Sequence, residues 1–463
     1  MKMTQSAEKN FIDREKLYAL SEVKYTDSEI DSILNKALKL KGISVEEAGK
    51  LINVTDSSNM TKIMSAAGKV KELIYGRRLV LFAPLYVGNK CSNNCLYCAF
   101  RKDNKDIKRI VLSESEIIKE TELLLKEGHK RVLLIGGEAG ETRPGYYIDA
   151  MRAIYSAKYD KHTVRRVNVE IAPMEVAEFE KFAKEKIGTY ICFQETYDEV
   201  VYKEVHPSGK KKDFNWRLYV MDRALQGGLN DVGIGALFGL ADYRFETLAL
   251  LTHANHLDET FGVGPHTVSV PRIEPATNAP LSYQVPHPVS DENFKKIVAV
   301  IRLALPYTGI ILSTRENETI RKDLFHYGIS QISAGSRTNP GGYSDNSSEA
   351  QFSLGDHRSL DEVISSLIDD GYIPSFCTGC YRKGRVGKDF MDIAKPGLIH
   401  KFCMPNGLFT FKEYLEDFAS EETKTKGEKL LTKLIYEIED AKVKAKSESV
   451  ISQISNGERD IYL

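Results

Sequence analysis

Six of the seven cysteines fall into two groups of three. Cys91, Cys95 and Cys98 sit inside "NKCSNNCLYCAF" (89–100), and Cys377, Cys380 and Cys403 lie near the other end of the chain. Clustered thiols in a chain this long read as metal ligands, because seven cysteines are too few for a disulfide framework. A structural zinc site or an ordinary iron–sulfur cluster takes four protein ligands. Each group here supplies three. Two readings of the first group stay open on spacing alone: zinc with a distant fourth ligand, or a [4Fe–4S] cluster with one iron left to an external ligand. For the second group, His400 is the candidate fourth ligand of a zinc site, and a second open cluster is the alternative. Cys192, the remaining cysteine, lies inside an apolar run and reads as core.

Other polar residues gather where short β-branched runs end: Gly136, Gly137 and Glu138, then Glu170, Gln194 and Glu195, then Arg272, Arg315, Ser333 and Ser336. His253 and His256 share a face of a predicted helix, expected to be exposed surface.

Eight such runs must position these residues: 79–87, 131–138, 164–173, 188–196, 231–239, 266–275, 309–316 and 331–338. Helical patterns separate them. "LSESEIIKETELLLKEG" has a Ser113/Glu116 capping box and a Gly128 stop, and 244–262 ends on Gly262. Alternating strands and helices imply parallel pairing, and eight units predict an α/β fold of (β/α)₈ barrel type. An open doubly wound sheet is the runner-up. Residues 1–75 read as N-terminal helices, 76–340 as the barrel, and 341–463 as a helical extension packed on one mouth. In a parallel barrel the first cysteine group then lies at the C-terminal face, where active sites form.

Bulk properties narrow the class. The chain has 463 residues, with 64 Lys+Arg against 65 Asp+Glu. That balance argues against a nucleic-acid or membrane-surface binder as a whole. "MKMTQSAEKNFIDREKL" has no apolar signal core, so a cytoplasmic setting is expected.

Cys91-x₃-Cys95-x₂-Cys98, with Tyr97 before the last cysteine, resembles the signature of radical S-adenosylmethionine (SAM) enzymes. That resemblance implies a [4Fe–4S] cluster binding SAM at its open iron and yielding a 5′-deoxyadenosyl radical. Gly136–Glu138 resembles the family's loop for the methionine amino group, and Tyr97, Glu170, Gln194 and Glu195 are carried as cofactor-side candidates. "RRVNVEIAP", "FQETYDEVVYKEVHPSG", "FGVGPHTVSVPRIEPA", "IPSFCTGCYRKGR" and "MPNGLFTFKEYLEDFASEET" further resemble the [FeFe]-hydrogenase maturation tyrosine lyases. What this implies is cleavage of L-tyrosine to p-cresol and dehydroglycine; a guanidinium suits the tyrosine carboxylate bidentately, so Arg315 is the candidate anchor with Arg272 second, and Ser333 is carried on the substrate side. Dehydroglycine would then give CO and cyanide at a second, auxiliary Fe–S cluster held by Cys377, Cys380 and Cys403. An additional iron there, ligated by His266 and a free cysteine, would collect them. The resemblance also implies an electron donor such as ferredoxin or flavodoxin, and hydrogenase maturation proteins as partners. The thiamin-pathway tyrosine lyase, 2-iminoacetate synthase, resembles only the barrel and is the enzymatic alternative. A zinc-stabilised, non-catalytic scaffold is the other. His266 opens the sixth predicted strand, which puts it at the N-terminal mouth, away from the first cysteines.

Overall fold

The computed structural model describes residues 10–345 and 348–463. Residues 1–9 of the predicted N-terminal segment, and 346–347 of the Gly-rich loop, lie outside the described residues. Four helices come first: Arg14–Leu20, Asp27–Ala37, Val45–Ile52 and Ser57–Tyr75. Thr26 and Ser44 each close a capping box with a glutamate three residues on, so the sequence itself starts these helices.

Eight parallel strands follow: β1 (Arg78–Gly88), β2 (Arg131–Gly136), β3 (Arg166–Glu170), β4 (Ile187–Ile191), β5 (Val232–Gly235), β6 (Thr267–Ser269), β7 (Gly309–Leu312) and β8 (Gln331–Ser333). Each pairs with the next. The last pairs back onto the first, Val80 opposite Gln331 and Phe82 opposite Ser333. That pairing closes the barrel and removes the open-sheet alternative. All eleven residues of β1 are buried, as a strand covered on both faces requires.

Strand starts agree with the sequence pattern, but most strands stop earlier than predicted. Residues such as Glu195, Arg272 and Arg315 therefore sit in loops just beyond the C-terminal strand ends. Past those ends the pairing thins to isolated bridges, such as Glu195 with Ala236 and Phe238 with Arg272.

The segment after residue 340 differs from a purely helical cap on one mouth. Its first part crosses the C-terminal mouth, where the Gln351 backbone N–H bonds Thr338 and that of Gly355 bonds Thr314. The chain then adds a ninth strand, β9 (Ile373–Ser375), parallel to the start of β1, with Arg78 opposite Ile373. Helices Leu360–Asp369, His400–Asp417, Glu421–Tyr436 and Ala441–Ser455 pack around it. One strand thus carries a cysteine group at each end. Cys91 follows β1 at its top, and Cys377 follows the strand paired to its foot. At about 3.3 Å per residue, β1 spans roughly 33 Å.

Candidate functional site

Cys91, Cys95 and Cys98 line a cavity of about 120 Å³ at the C-terminal mouth. Asparagines and one arginine shape their loop. The Arg109 guanidinium donates to four backbone carbonyls, of Asn89, Phe100, Arg101 and Asn104, and so folds the loop back on itself. The Asn93 amide bonds the Glu138 carboxylate at 2.7 Å, and its carbonyl accepts from the Lys211 backbone N–H. Ser92 bonds the Glu138 carbonyl through both its N–H and its hydroxyl.

The two glycines before Glu138 have separate reasons. A Cβ on Gly136 would sit 2.4 Å from the Tyr147 hydroxyl, and one on Gly137 would sit 2.3 Å from the Lys90 carbonyl oxygen. Gly136 makes room for a helix side chain. Gly137 lets the second strand end touch the cysteine loop.

Gly136, Gly137, Glu138, Tyr97, Glu170 and Glu195 all line this cavity, as the sequence reading expects. The buried Cys192 also reaches its wall. Tyr97 is held by its hydroxyl, 2.9 Å from His206 Nε2. Glu195 takes a positive φ of 72°, a strained choice for a residue with a side chain. Burial would raise its carboxyl, but Lys211 at 2.6 Å and Arg217 at 3.5 Å hold it below the usual range. Gln194 does not join them. Its amide points to the Phe214 carbonyl, away from the cavity.

Beyond Glu170, Phe193 and Gln351 lies a second chamber of about 80 Å³, which includes Tyr86, Arg315, Ser333 and Phe352. Burial, with the charge of Glu195, raises the Glu170 carboxyl to about 7. Arg315 stacks on the Phe352 ring at 3.3 Å and has no carboxylate in ion-pair contact among the described residues. Arg272, the second candidate, is already engaged. It pairs with Glu316 and with Asp291. Ser333 accepts from the Thr314 N–H and lines the chamber, whereas Ser336 is buried outside it.

At the opposite mouth, Cys377, Cys380 and Cys403 line a cavity of about 60 Å³ together with His266. Here the position of His266 at the foot of β6 makes sense. Its ring packs on Phe390, and burial lowers it to about 4 against the opposing charge of Asp231, so the imidazole is neutral. Its Nδ1 has no hydrogen-bond partner. Three buried guanidiniums, of Arg78, Arg131 and Arg166, complete the wall, and the Nε atoms of Arg78 and Arg131 are also unpartnered. His400 is exposed and does not reach the cavity, so it does not complete a zinc site with these thiols.

His253 and His256 differ from the expectation of exposed surface. His253 is buried against the Tyr197 hydroxyl, and His256 pairs with Asp222 under the stacked Phe11 ring. The N-terminal helices cover that face.

Residues 85–251 match the radical SAM superfamily, and 269–373 match the biotin and thiamin synthesis associated domain. The chain is 30% identical to 2-iminoacetate synthase of Escherichia coli over 348 residues, 74% of this chain and 89% of that one. A crystal structure of HydG, a maturase of the [FeFe]-hydrogenase, superposes with a TM-score of 0.96 at 46% identity, covering 98% of this chain and all of the other. The chain belongs to the HydG family of radical SAM enzymes. HydG from Carboxydothermus hydrogenoformans also matches, with a TM-score of 0.84 at 41% identity over 97% of this chain.

The radical SAM fold brings a [4Fe–4S] cluster with SAM, and the first cavity fits that pair. Among the described residues, no three His, Cys, Asp or Glu side chains converge as one bound ion needs. The thiols instead stand around a cavity, and in a cluster each cysteine binds a different iron. Burial raises Cys95 to about 12 and Cys98 above its ordinary value, so these thiols ionise on metal binding rather than alone. Glu195, Lys211 and Arg217 give the same cavity charged walls for a zwitterion. The second cavity has thiols of the same kind: burial raises Cys403 to about 12, and the guanidiniums beside it favour the thiolate.

Lys211, Arg217, Arg109 and Gln351 are site residues that motif reading missed. None carries a local signal. Gln351 reaches Cys98 from 253 positions away, with its amide nitrogen 3.7 Å from the thiol sulfur.

Proposed function

We propose that this protein cleaves L-tyrosine to p-cresol and dehydroglycine at the C-terminal mouth, and converts dehydroglycine to CO and cyanide at the N-terminal mouth. The observation that carries the reading is the second three-cysteine cavity, at the foot of the strand whose top carries the first, with a neutral His266 in its wall. Sequence support comes from the match over 348 residues to a 2-iminoacetate synthase. When bound, the reduced cluster and SAM supply the radical that takes a hydrogen from the tyrosine amino group.

The chain's own residues do the rest by position. Arg315 binds the tyrosine carboxylate, Ser333 lines the same wall, and Phe193 and Phe352 offer apolar faces to the ring. Glu170 stands on the wall common to both cavities. Cα–Cβ homolysis leaves dehydroglycine and a 4-hydroxybenzyl fragment, which takes one electron and one proton to become p-cresol. Dehydroglycine as its carboxylate balances as CO, cyanide and water, so the second step needs no oxidant. A neutral imidazole and three thiols suit an auxiliary Fe–S cluster with an additional iron and a free cysteine on it. The iron carrying CO and cyanide would leave as a precursor for the hydrogenase H-cluster.

In this reading the described residues of segment 1–75 brace the barrel, 76–340 perform the cleavage, and the described residues of 341–463 complete both mouths. A one-electron carrier such as ferredoxin or flavodoxin supplies the electrons, and hydrogenase maturation proteins receive the product. Among the described residues no helix is long and apolar enough to cross a membrane. The test is a Cys377→Ala/Cys380→Ala protein reconstituted anaerobically. p-Cresol should persist while CO disappears. Loss of both products with the first cluster intact would overturn the separation of roles, and wild-type protein that makes p-cresol but no CO would reduce the function to the 2-iminoacetate synthase reaction.

A further inference from the structure

Residues Gly457–Leu463 do not trail off from the last helix. Gly457 and Asp460 both take positive φ, 101° and 63°, and turn the chain back toward the barrel. The Asp460 N–H bonds Glu413, and its carboxylate pairs with Arg165 and Arg382. The segment then runs along the second cysteine loop. The Tyr462 hydroxyl lies 3.0 Å from the Thr378 hydroxyl and accepts from the Arg165 guanidinium at 3.2 Å. The Leu463 N–H donates to the Asn406 side chain at 2.8 Å, and its carbonyl accepts from Arg385.

Two of these partners, Thr378 and Asn406, line the second cavity. Thr378 and Gly379 are the two residues between Cys377 and Cys380, and Asn406 lines the cavity one turn after Cys403. Gly379 is the tightest point. A Cβ there would meet Asn406 Nδ2 at 2.8 Å, the Tyr462 ring at 3.2 Å and the Cys377 sulfur at 3.4 Å. The Gly379 N–H points at that same sulfur, 3.3 Å away. Such N–H···S contacts withdraw charge from a thiolate and set a cluster's potential.

We propose that Asp460–Leu463 is a strap that fixes the Cys377–Cys380 loop, with Tyr462 as its positioning residue. It holds Thr378 and the Gly379 ring contact, and so sets the N–H···S geometry at Cys377. This rests on the reading of the second cavity as a cluster site. Partners one layer behind the ligands of a metal site typically cost about tenfold or more in metal affinity or activity when removed.

The test compares wild type, Tyr462→Phe and a variant ending at Arg459. Two readouts do not depend on turnover. In the apo proteins, alkylation of Cys377 and Cys380 by iodoacetamide should quicken severalfold in the shortened variant. In anaerobically reconstituted proteins, the EPR signal that SAM does not shift should change its g-values or weaken, while the SAM-sensitive signal stays. Turnover should show CO per p-cresol falling about tenfold in the shortened variant, with p-cresol itself unchanged and Tyr462→Phe between the two. Unchanged alkylation, second signal and CO ratio in the shortened variant would overturn the strap. Loss of p-cresol together with CO would overturn it as a local device. Wild-type protein with only the SAM-sensitive signal would instead remove the second-cluster reading on which the strap rests.

Discussion

Gly137 lies against Lys90 so closely that any side chain at 137 would collide with a backbone carbonyl, 2.3 Å from a Cβ. The glycine therefore joins the end of β2 to the first cysteine loop, one residue before Cys91. The obstructing atom is backbone, so no rotamer change relieves it. Gly137→Ala should displace the loop and lower iron retention at the first site, with p-cresol formation falling at least about tenfold, as for displaced ligand supports elsewhere. Iron content and p-cresol yield measure this, with thermal unfolding as the fold control. An alanine protein with full iron and normal turnover would show that the contact is slack.

The two arginines offered from the sequence as carboxylate anchors, Arg315 first and Arg272 second, separate in the structure. Arg315 faces the chamber without an ion-pair partner, and Arg272 is spent on Glu316 and Asp291. A hydrogen bond to a charged group is worth about 1.5–3 kcal/mol. Arg315→Ala should accordingly raise the tyrosine KM by roughly 10- to 100-fold, since 1.4 kcal/mol is about tenfold. Arg272→Ala should leave KM near wild type and lower the melting temperature, because it strands the buried Glu316. The reverse pattern would exchange the two roles.

What the sequence made legible, and what it did not, follows from the range of each signal. Capping boxes at Thr26, Ser44 and Ser113 act over three residues, and all three open helices in the structure. The eight strands are visible because burial on both faces leaves continuous apolar runs. Strand ends are not, because the chain above them stays extended and its pairing fades into isolated bridges such as Glu195 with Ala236. Gln194 and Glu195 show the cost. Alternation alone cannot say which of two adjacent polar residues faces the cavity, and the positive φ at Glu195 breaks the alternation at that point. Gln351 is further still from prediction. It reaches the site because residues after 340 return over the C-terminal mouth, a path that no local pattern encodes. Cys377 and His266 are intermediate: the cavity that joins them unites residues more than a hundred positions apart.

Glu246 couples stability to pH. It is fully buried on helix Tyr243–Phe261, accepting from the Thr196 hydroxyl and from the Tyr197 N–H at 3.0 Å. Burial raises its carboxyl to about 8. The folded protein thus keeps the proton that the unfolded chain releases near 4.5, its ordinary value. The stabilisation from that proton is complete below pH about 4.5 and is lost as pH rises through about 8. Glu246→Gln keeps a neutral amide in place of the acid and should flatten this part of the profile. Denaturant unfolding between pH 5 and 9 would read it. Equal slopes in the two proteins would mean that Glu246 is ionised in the fold.

His266 gives the sharpest separation of the two mouths. It lines neither the first cysteine cavity nor the chamber that holds Arg315, and its neutral ring lines the cavity of Cys377, Cys380 and Cys403. Its Nδ1 lies 3.7 Å from Asp231, too far for a hydrogen bond, so removing the ring strands no close partner. His266→Ala should therefore keep p-cresol formation within about twofold of wild type while CO falls tenfold or more, the range typical of lost site support. His266→Gln, which fills similar space without an imidazole, should do the same. Were the glutamine protein to retain full CO output, space-filling against Phe390 would be the role of this residue, and iron at the second mouth would need another ligand.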